Sequence, residues 1–475
     1  MSYNPLAPDT ALVILLLFGL LWVAFGYWLG RKNKTLDDYM LAGRNVGLAL
    51  GTATAMATWV TSNTTMTAPQ LTYQLGVWGM VGYSFGAVGL LLFAPLAGRI
   101  KEILPHGFTS GDFIRRRYGL SAWRIFLVIS LFYALGWLIS LGMAGGLLVN
   151  ALSGLDYHLG MSVILLVCVS YTLLGGLRAV IATDFVQTII ILLGVIWIAW
   201  LVIDNVGIDT MHRDLSAGHP MLLQLLFPAA IMFLFNNLLF GVGEIFHSNV
   251  WWSRAFAFRK KTGTRAYLIS GLCWLPIPIV AGFVALAAPS LGLNIPSPDM
   301  VGPMVAGRIL GTTGAVIVFI VVFSALASSL DSLLAATSDL ITQDIYRGHL
   351  KPDASDLQCF RVGKWVIVGL GLFTWLLCLP RLTTLASLLY FTGAFVASAI
   401  WPIVFGLYFR WANGRAASLA MLSGTGSGLL AYFQIGFYVA ALVSCAVSLL
   451  VIVTSSFMGR HGNFDFAQLA AREND

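Results

Sequence analysis

The chain is 475 residues long, 58% hydrophobic and only 10% charged, with a mean hydropathy of +0.85. That composition excludes a string of soluble domains, because apolar runs of about 20 residues, each long enough to cross a bilayer, recur throughout. The net charge of +7 gives no argument for nucleic acid, since the basic residues are scattered between the apolar runs.

Taken in chain order, the runs predict an all-α membrane protein of about 13 transmembrane helices, at 10–30, 46–70, 77–98, 122–150, 159–175, 178–203, 221–247, 265–289, 303–345, 361–379, 383–409, 415–434 and 436–457. The first lacks a basic segment before it and is followed by Arg31, Lys32 and Lys34. It therefore reads as a retained helix with its N-terminus outside, and not as a cleaved signal. Alternating from there puts 24 of the 27 Lys and Arg in cytoplasmic loops and the tail, with Arg213, Arg308 and Arg381 outside and the C-terminus inside. The five cysteines lie in or beside apolar runs without paired spacing and read as free thiols. Short loops point to a single transmembrane domain over 1–475 in the cell membrane. The lipid bilayer is its solvent, and no obligatory protein partner is evident.

Two helices look broken. The run 46–70 carries Thr58, Thr61, Ser62, Asn63, Thr64, Thr65 and Thr67 before Pro69, a polar cluster that is costly at membrane depth unless it lines a cavity or another helix. The run 221–247 carries Asn236 and Asn237, then Gly241, Gly243 and Glu244, which suggests unwinding or close backbone approach. Their spacing, second and seventh, fits two five-helix repeats of inverted topology: helices 2–6 (46–203) and 7–11 (221–409). The helix 10–30 is then an N-terminal addition and 415–457 a C-terminal pair.

The ninth helix places Ala325, Ser328 and Ser329 at i, i+3 and i+4 on one face, just after the apolar run Ala315 to Phe323. Two hydroxyls and a nearby carbonyl can replace the water shell of a small hard cation; alternatively the serines back-bond to their own helix or bridge helices. Asp331 reads as a direct ligand or a helix-packing carboxylate. For the solute, Thr61, Ser62, Asn63 and Thr64 face Asn236, Asn237 and Glu244 across the proposed centre, with Tyr390 and Phe391 as a lid. Glu244 accepts substrate N–H groups, balances the cation or carries a proton, unless it faces cytoplasmic water near His247. Trp251 and Trp252 fall where an interfacial aromatic belt would place them, and no arginine is expected at mid-membrane. Nothing suggests an enzyme: there is no nucleophile–base constellation, metal-ligand spacing or phosphate loop. A sensor would need an output domain, and a channel a continuous polar stripe.

Two long motifs then resemble a known family. The stretch Gly175-Gly176-Leu177-Arg178-Ala179-Val180-Ile181-Ala182-Thr183-Asp184-Phe185-Val186-Gln187 is similar to the signature of the sodium:solute symporter family, and 324–348, ending in Asp344-Ile345-Tyr346, resembles that family's sodium-site helix. The resemblance implies a LeuT-type fold of 5+5 inverted repeats, working by alternating access on the sodium gradient. It implies a sodium site made of Ala325, Ser328 and Ser329, with carbonyls of Ala57 and Val60 placed by aligning Tyr73 and Gly76. It sets Asp184 near the ion path, although Asp184 also reads as a helix-end partner of Arg178. The run 244–257 and the Gly-x-Cys-Trp segment near 271–274 resemble the active urea transporter branch. The chain departs from that branch in reading Trp59-Val60-Thr61 and in carrying Ser-Leu-Asp-Ser-Leu-Leu at 329–334. The expected activity is sodium-coupled symport of a small polar solute, urea first. The alternatives are proline, pantothenate, a monocarboxylate or choline, or proton-coupled urea uptake.

Overall fold

The computed structural model describes residues 5–31, 35–226, 228–381, 383–458 and 463–470, which form helices and no strand, with one isolated backbone bridge between Val46 and Phe258. Ten of the helices among the described residues are long and apolar enough to cross a membrane. The outer ones present apolar side chains outward, among them Leu17 and Leu20 of α1 (Pro8–Gly30), Leu166 and Leu193, and Leu372. In contrast, every residue from Val321 to Leu340 is buried. Apolar on the outside and polar within is the arrangement that a lipid solvent demands. The five cysteines are unpaired.

The first predicted break is present. Helix α2 (Leu48–Trp59) stops at Val60, whose ψ of 83° leaves the helical region. The last rung of its ladder runs from the Val60 N–H to the Met56 carbonyl at 2.9 Å, and the Thr61 N–H turns to the Thr64 hydroxyl at 3.2 Å. The Thr64 N–H donates back to the Thr61 hydroxyl at 3.2 Å. This reciprocal pair satisfies the amides that a break in mid-membrane would otherwise orphan. A wide π-type turn at Asn63–Thr67 leads into α3 (Ala68–Leu75), where Pro69, lacking an N–H, falls in the first turn. After α4 (Val77–Ile103) and α5 (Leu120–Ser153) comes α6 (Tyr157–Val206). Its 50 residues would reach about 75 Å as one rod, more than twice a hydrocarbon core of about 30 Å.

The rod is divided at Gly176, with φ 61° and ψ −175°, a region essentially closed to side-chain-bearing residues. A Cβ there would also lie 2.8 Å from the Tyr39 carbonyl oxygen. Gly176→Ala should therefore cost about 1–3 kcal/mol in backbone strain alone. A fall in the unfolding temperature of the detergent-solubilised protein checks this, and an unchanged temperature would contradict it.

The second break differs from the expectation. Helix α7 (Pro228–His247) is continuous through Asn236, Gly241 and Gly243. Gly241 is there for close packing, since a Cβ on it would stand 2.8 Å from Gly86 Cα. The chain breaks at Ser248 (ψ 129°) and resumes as α8 (Asn249–Ala257), capped by the Ser248 hydroxyl. This shift moves residues 249–257 from a cytoplasmic loop into the protein interior. Trp251 and Trp252 are 1% and 0% exposed, so they are core residues and not an interfacial belt.

The remaining helices are α9 (Thr262–Ala287), α10 (Val301–Leu340, divided at Gly311 and extended by a π-type segment at Ile341–Leu350), α11 (Asp356–Cys378), α12 (Leu385–Tyr408), α13 (Gly414–Gln434) and α14 (Ala440–Met458). Helix α10 packs against α5, α6 and the first broken helix, which sets its serine face opposite the break.

Candidate functional site

The serine face of α10 meets the end of α2. The Ser329 hydroxyl lies 3.1 Å from the Thr58 carbonyl and 3.1 Å from the Ala325 carbonyl. Ser328 donates to Asp184 Oδ1 at 2.5 Å. The structure thus brings Ala325, Ser328 and Ser329 beside the segment that holds Ala57 and Val60, with Asp184 of α6 in contact through Ser328. Back-bonding of Ser329 to Ala325 and the cross-helix bond to Thr58 are both present, so neither alternative reading of the serines excludes the other.

Asp184 does not pair with Arg178, which lies 3.7 Å from Asp38. Its partner is Arg254, a residue that sequence reasoning put in a loop. Both side chains are fully buried, with Arg254 Nη2 3.3 Å from Asp184 Oδ2. Arg254 Nη2 also donates to the hydroxyls of Thr58 and Ser332, each at 2.7 Å, while Nε donates to Thr54 at 3.0 Å and Nη1 to the Val250 carbonyl at 3.1 Å. A buried arginine therefore sits within the membrane-spanning bundle, contrary to the expectation of none. The signal was in the sequence: Val250 to Phe258 is apolar except for Ser253 and Arg254, and the true charged run begins at Arg259.

On the solute side, Glu244 is 3% exposed and does not face cytoplasmic water. Its Oε1 accepts hydrogen bonds from the Tyr133 hydroxyl and from Trp251 Nε1 (3.2 Å), while Oε2 is buried with no partner. The same aromatic cluster contains Trp59, whose ring lies 6.1 Å from that of Trp137 at 26° and 5.6 Å from those of Trp251 and Trp274. The indole N–H groups of Trp59 and Trp137, the Ser62 hydroxyl and Asn63 Nδ2 are likewise buried without partners. Buried polar groups left unpaired are expensive, and the indoles of Trp59 and Trp137 carry theirs beside Trp251 and Tyr133, the two residues that donate to Glu244. Trp59, Tyr133, Trp137 and Trp251 are absent from the sequence-derived site. Tyr133 and Trp137 share one face of α5 at i, i+4, a pattern that core packing produces equally well.

Of the other predicted residues, Thr61, Thr64, Asn236, Asn237 and Tyr390 are engaged within the frame. Thr61 and Thr64 stabilise the break. Asn63 Oδ1 accepts from Ser140 at 3.0 Å. Asn236 is turned towards the last helix, accepting from the Ala441 N–H at 2.8 Å and donating to the Phe437 carbonyl at 3.2 Å. Asn237 donates to the Gly82 and Tyr83 carbonyls at 2.8 and 3.0 Å and accepts from Tyr390 at 2.9 Å. Tyr390 is fully buried against α7 and stacked on Phe437. Asn237→Ala should cost more stability than Tyr390→Phe: it leaves the Tyr390 hydroxyl and the Gly82 carbonyl without their partner, whereas Tyr390→Phe orphans only Asn237 Oδ1, at about 1–3 kcal/mol for each orphaned group. Thermal unfolding of the two variants checks the order, and equal or reversed shifts would contradict it.

The profile of the sodium:solute symporter family matches residues 39–424, most of the chain and both halves of the site. The chain belongs to the sodium:solute symporter family. This symporter is 28% identical over 460 residues to a urea–proton symporter of Oryza sativa subsp. japonica, covering 88% of this chain and 64% of the relative. It is 27% identical over 447 residues to the urea active transporter of Saccharomyces cerevisiae, covering 86% of this chain and 60% of the relative. It is also 26% identical over 445 residues to an osmoregulated proline transporter of Bacillus subtilis, covering 88% of each. The symporter thus spans about three-fifths of the length of these urea transporters. Its fold is similar to that of a substrate-bound, outward-open Na+-coupled sialic acid symporter, with a TM-score of 0.80 at 18% identity over 94% of this chain and 98% of the other. It is also similar to a nucleobase-cation-symport-1 family transporter in a closed conformation, at TM-score 0.60 and 14% identity over 92% and 98%. The chain is a multi-pass plasma-membrane member of this transporter family.

Proposed function

We propose that this symporter couples sodium entry to uptake of a small polar solute, urea first, by alternating access. The observation that carries the coupling is the 3.1 Å contact of the Ser329 hydroxyl with the Thr58 carbonyl, at the point where α2 unwinds. Around that contact, the hydroxyls of Ser328 and Ser329 and the carbonyls of Ala325, Ala57 and Val60 form an oxygen set for a small hard cation, the use that symporters make of unwound backbone. A cation held there ties α10 to α2 and fixes the break. The residues next to the break, Trp59, Ser62 and Asn63, carry unpartnered polar groups. Ordering them raises solute affinity, and by reciprocity bound solute raises cation affinity.

Urea suits these groups. Its carbonyl takes indole or amide N–H donors, and its N–H groups find the free oxygen of Glu244, between aromatic walls that exclude water. Both first-named relatives are urea transporters by name. Proton coupling is the second reading, supported by the name of the rice relative and by a buried carboxylate with one oxygen free. The topology that goes with the proposal has 13 crossings, N-terminus out and C-terminus in. The ten long helices supply ten, α6 divides into two at Gly176, and the broken α2–α3 and α13 add the others. Helices 2–6 and 7–11 form the inverted repeats, and the second break at Ser248 suits a pair of discontinuous helices.

Competition in proteoliposomes tests the solute. Labelled urea should accumulate under an inward sodium gradient and resist a large excess of unlabelled proline, choline or monocarboxylate. Accumulation of labelled proline unaffected by urea would overturn the urea reading.

A further inference from the structure

Arg254 occupies a hole that has the donor set of an alkali-cation site. Its walls are one carboxylate (Asp184), three hydroxyls (Thr54, Thr58, Ser332) and one carbonyl (Val250), supplied by α2, α6, α8 and α10, and every guanidinium nitrogen is engaged at 2.7–3.3 Å. The hole adjoins the proposed sodium site along a shared edge: Asp184 Oδ2 accepts from Thr54 at 2.5 Å and faces Arg254, while Oδ1 accepts from Ser328 at 2.5 Å. A carboxylate buried to this depth needs a permanent partner, because an unpaired buried charge costs several kcal/mol. A mobile cation could supply it in every cycle. A side chain anchored in α8 supplies it without leaving.

The charges around the hole fix the balance. Asp331 is the buried carboxylate of α10 one residue from Ser332, with Asp339 about two turns further along the same helix. Asp331 Oδ2 accepts from Tyr171 and its Oδ1 has no partner. Cys168, on the same face of α6 as Tyr171, is the remaining titratable group beside it. Arg254 balances Asp184 charge for charge, so the place beside Asp184 is filled without a second mobile cation.

We propose that Arg254 is a tethered counter-cation that permanently fills the position beside Asp184, so that this symporter moves one cation per solute through the Ala325–Ser328–Ser329 site. The proposal rests on the sodium reading above and adds the stoichiometry and the residue that sets it. In Arg254→Gln the position opens. Sodium then has two oxygen-rich places to enter, and the sodium activation curve changes from hyperbolic to sigmoidal, with a Hill coefficient rising from about 1 towards 2. Arg254→Lys keeps the charge and the hyperbolic curve.

The test is the sodium-to-urea coupling ratio of the full wild-type chain in proteoliposomes, from the membrane potential that just stops net uptake against known gradients. A ratio of one is expected. A ratio of two or more overturns the role of Arg254 while leaving sodium coupling intact, and uptake indifferent to sodium overturns the coupling itself. The variants give an independent readout: a Hill coefficient that stays at about 1 in Arg254→Gln, with uptake retained, also overturns the role of Arg254. The wild-type ratio decides the matter if that variant does not fold.

Discussion

Ser328→Ala combined with Ser329→Ala should raise the sodium concentration for half-maximal uptake by about 100-fold. Each hydroxyl that contacts an ion is worth about 1.5–3 kcal/mol, and about 1.4 kcal/mol is a factor of ten in binding, so losing both removes at least two factors of ten. Some of the loss falls on stability, because Ser328 also donates to Asp184 Oδ1. A serine lower on the same helix separates the two effects. Ser338 donates to the Gly363 carbonyl at 2.8 Å, away from the break. Ser338→Ala should lower the unfolding temperature slightly and leave the sodium curve in place. Equal sodium curves for the double variant and the wild type would remove Ser328 and Ser329 from the site.

Glu244→Gln should weaken the solute by about 10- to 100-fold while the protein still folds. The amide oxygen of glutamine can accept from Tyr133 and Trp251 as Oε1 does, so the frame survives. The second oxygen, now an acceptor without a partner, becomes an NH2 donor facing the donors of urea. An acceptor lost and a donor opposed cost about 1–3 kcal/mol. Glu244→Ala goes further: it strands the Tyr133 hydroxyl and the Trp251 N–H in the interior, and both the unfolding temperature and uptake should fall. The kinetic split is diagnostic, since a residue that only supports packing shifts stability in both variants and leaves the half-saturating urea concentration unchanged in Glu244→Gln. Wild-type urea kinetics in Glu244→Gln would exclude the carboxylate from solute binding.

Much of the architecture was legible because membrane helices write their length and their outward face in apolar residues. The first break was legible as well, since Thr61, Ser62, Asn63 and Thr64 followed by Pro69 are too polar for an uninterrupted crossing. The second break was misplaced for an equally physical reason. Gly241 and Gly243 look like an unwinding signal, but glycine serves close packing as readily, as Gly241 does against Gly86. The real break at Ser248 carries neither glycine nor proline. With the helix read as ending at His247, Arg254 merges with Arg259, Lys260 and Lys261 into one basic run that reads as a loop, and Trp251 reads as interfacial.

The paired amides failed differently. Asn236 and Asn237 are neighbours on a helix and point about 100° apart, so they could not both face one centre. One is turned to α14 and the other to α4. Hydropathy locates polar groups in depth but not around the helix axis, and the axis angle decides which groups meet. The three-way contact of Asp184, Ser328 and Arg254 joins residues 70 and 144 positions apart, a relation that local pattern does not contain.

The account stands on the cation gradient as the driving force. The most direct measurement is uptake of labelled urea into proteoliposomes containing the full chain, with inward sodium and proton gradients imposed separately. The expected result is transient accumulation above equilibrium under the sodium gradient and simple equilibration without it. Equal uptake with neither gradient, or accumulation under the proton gradient alone, would contradict sodium coupling.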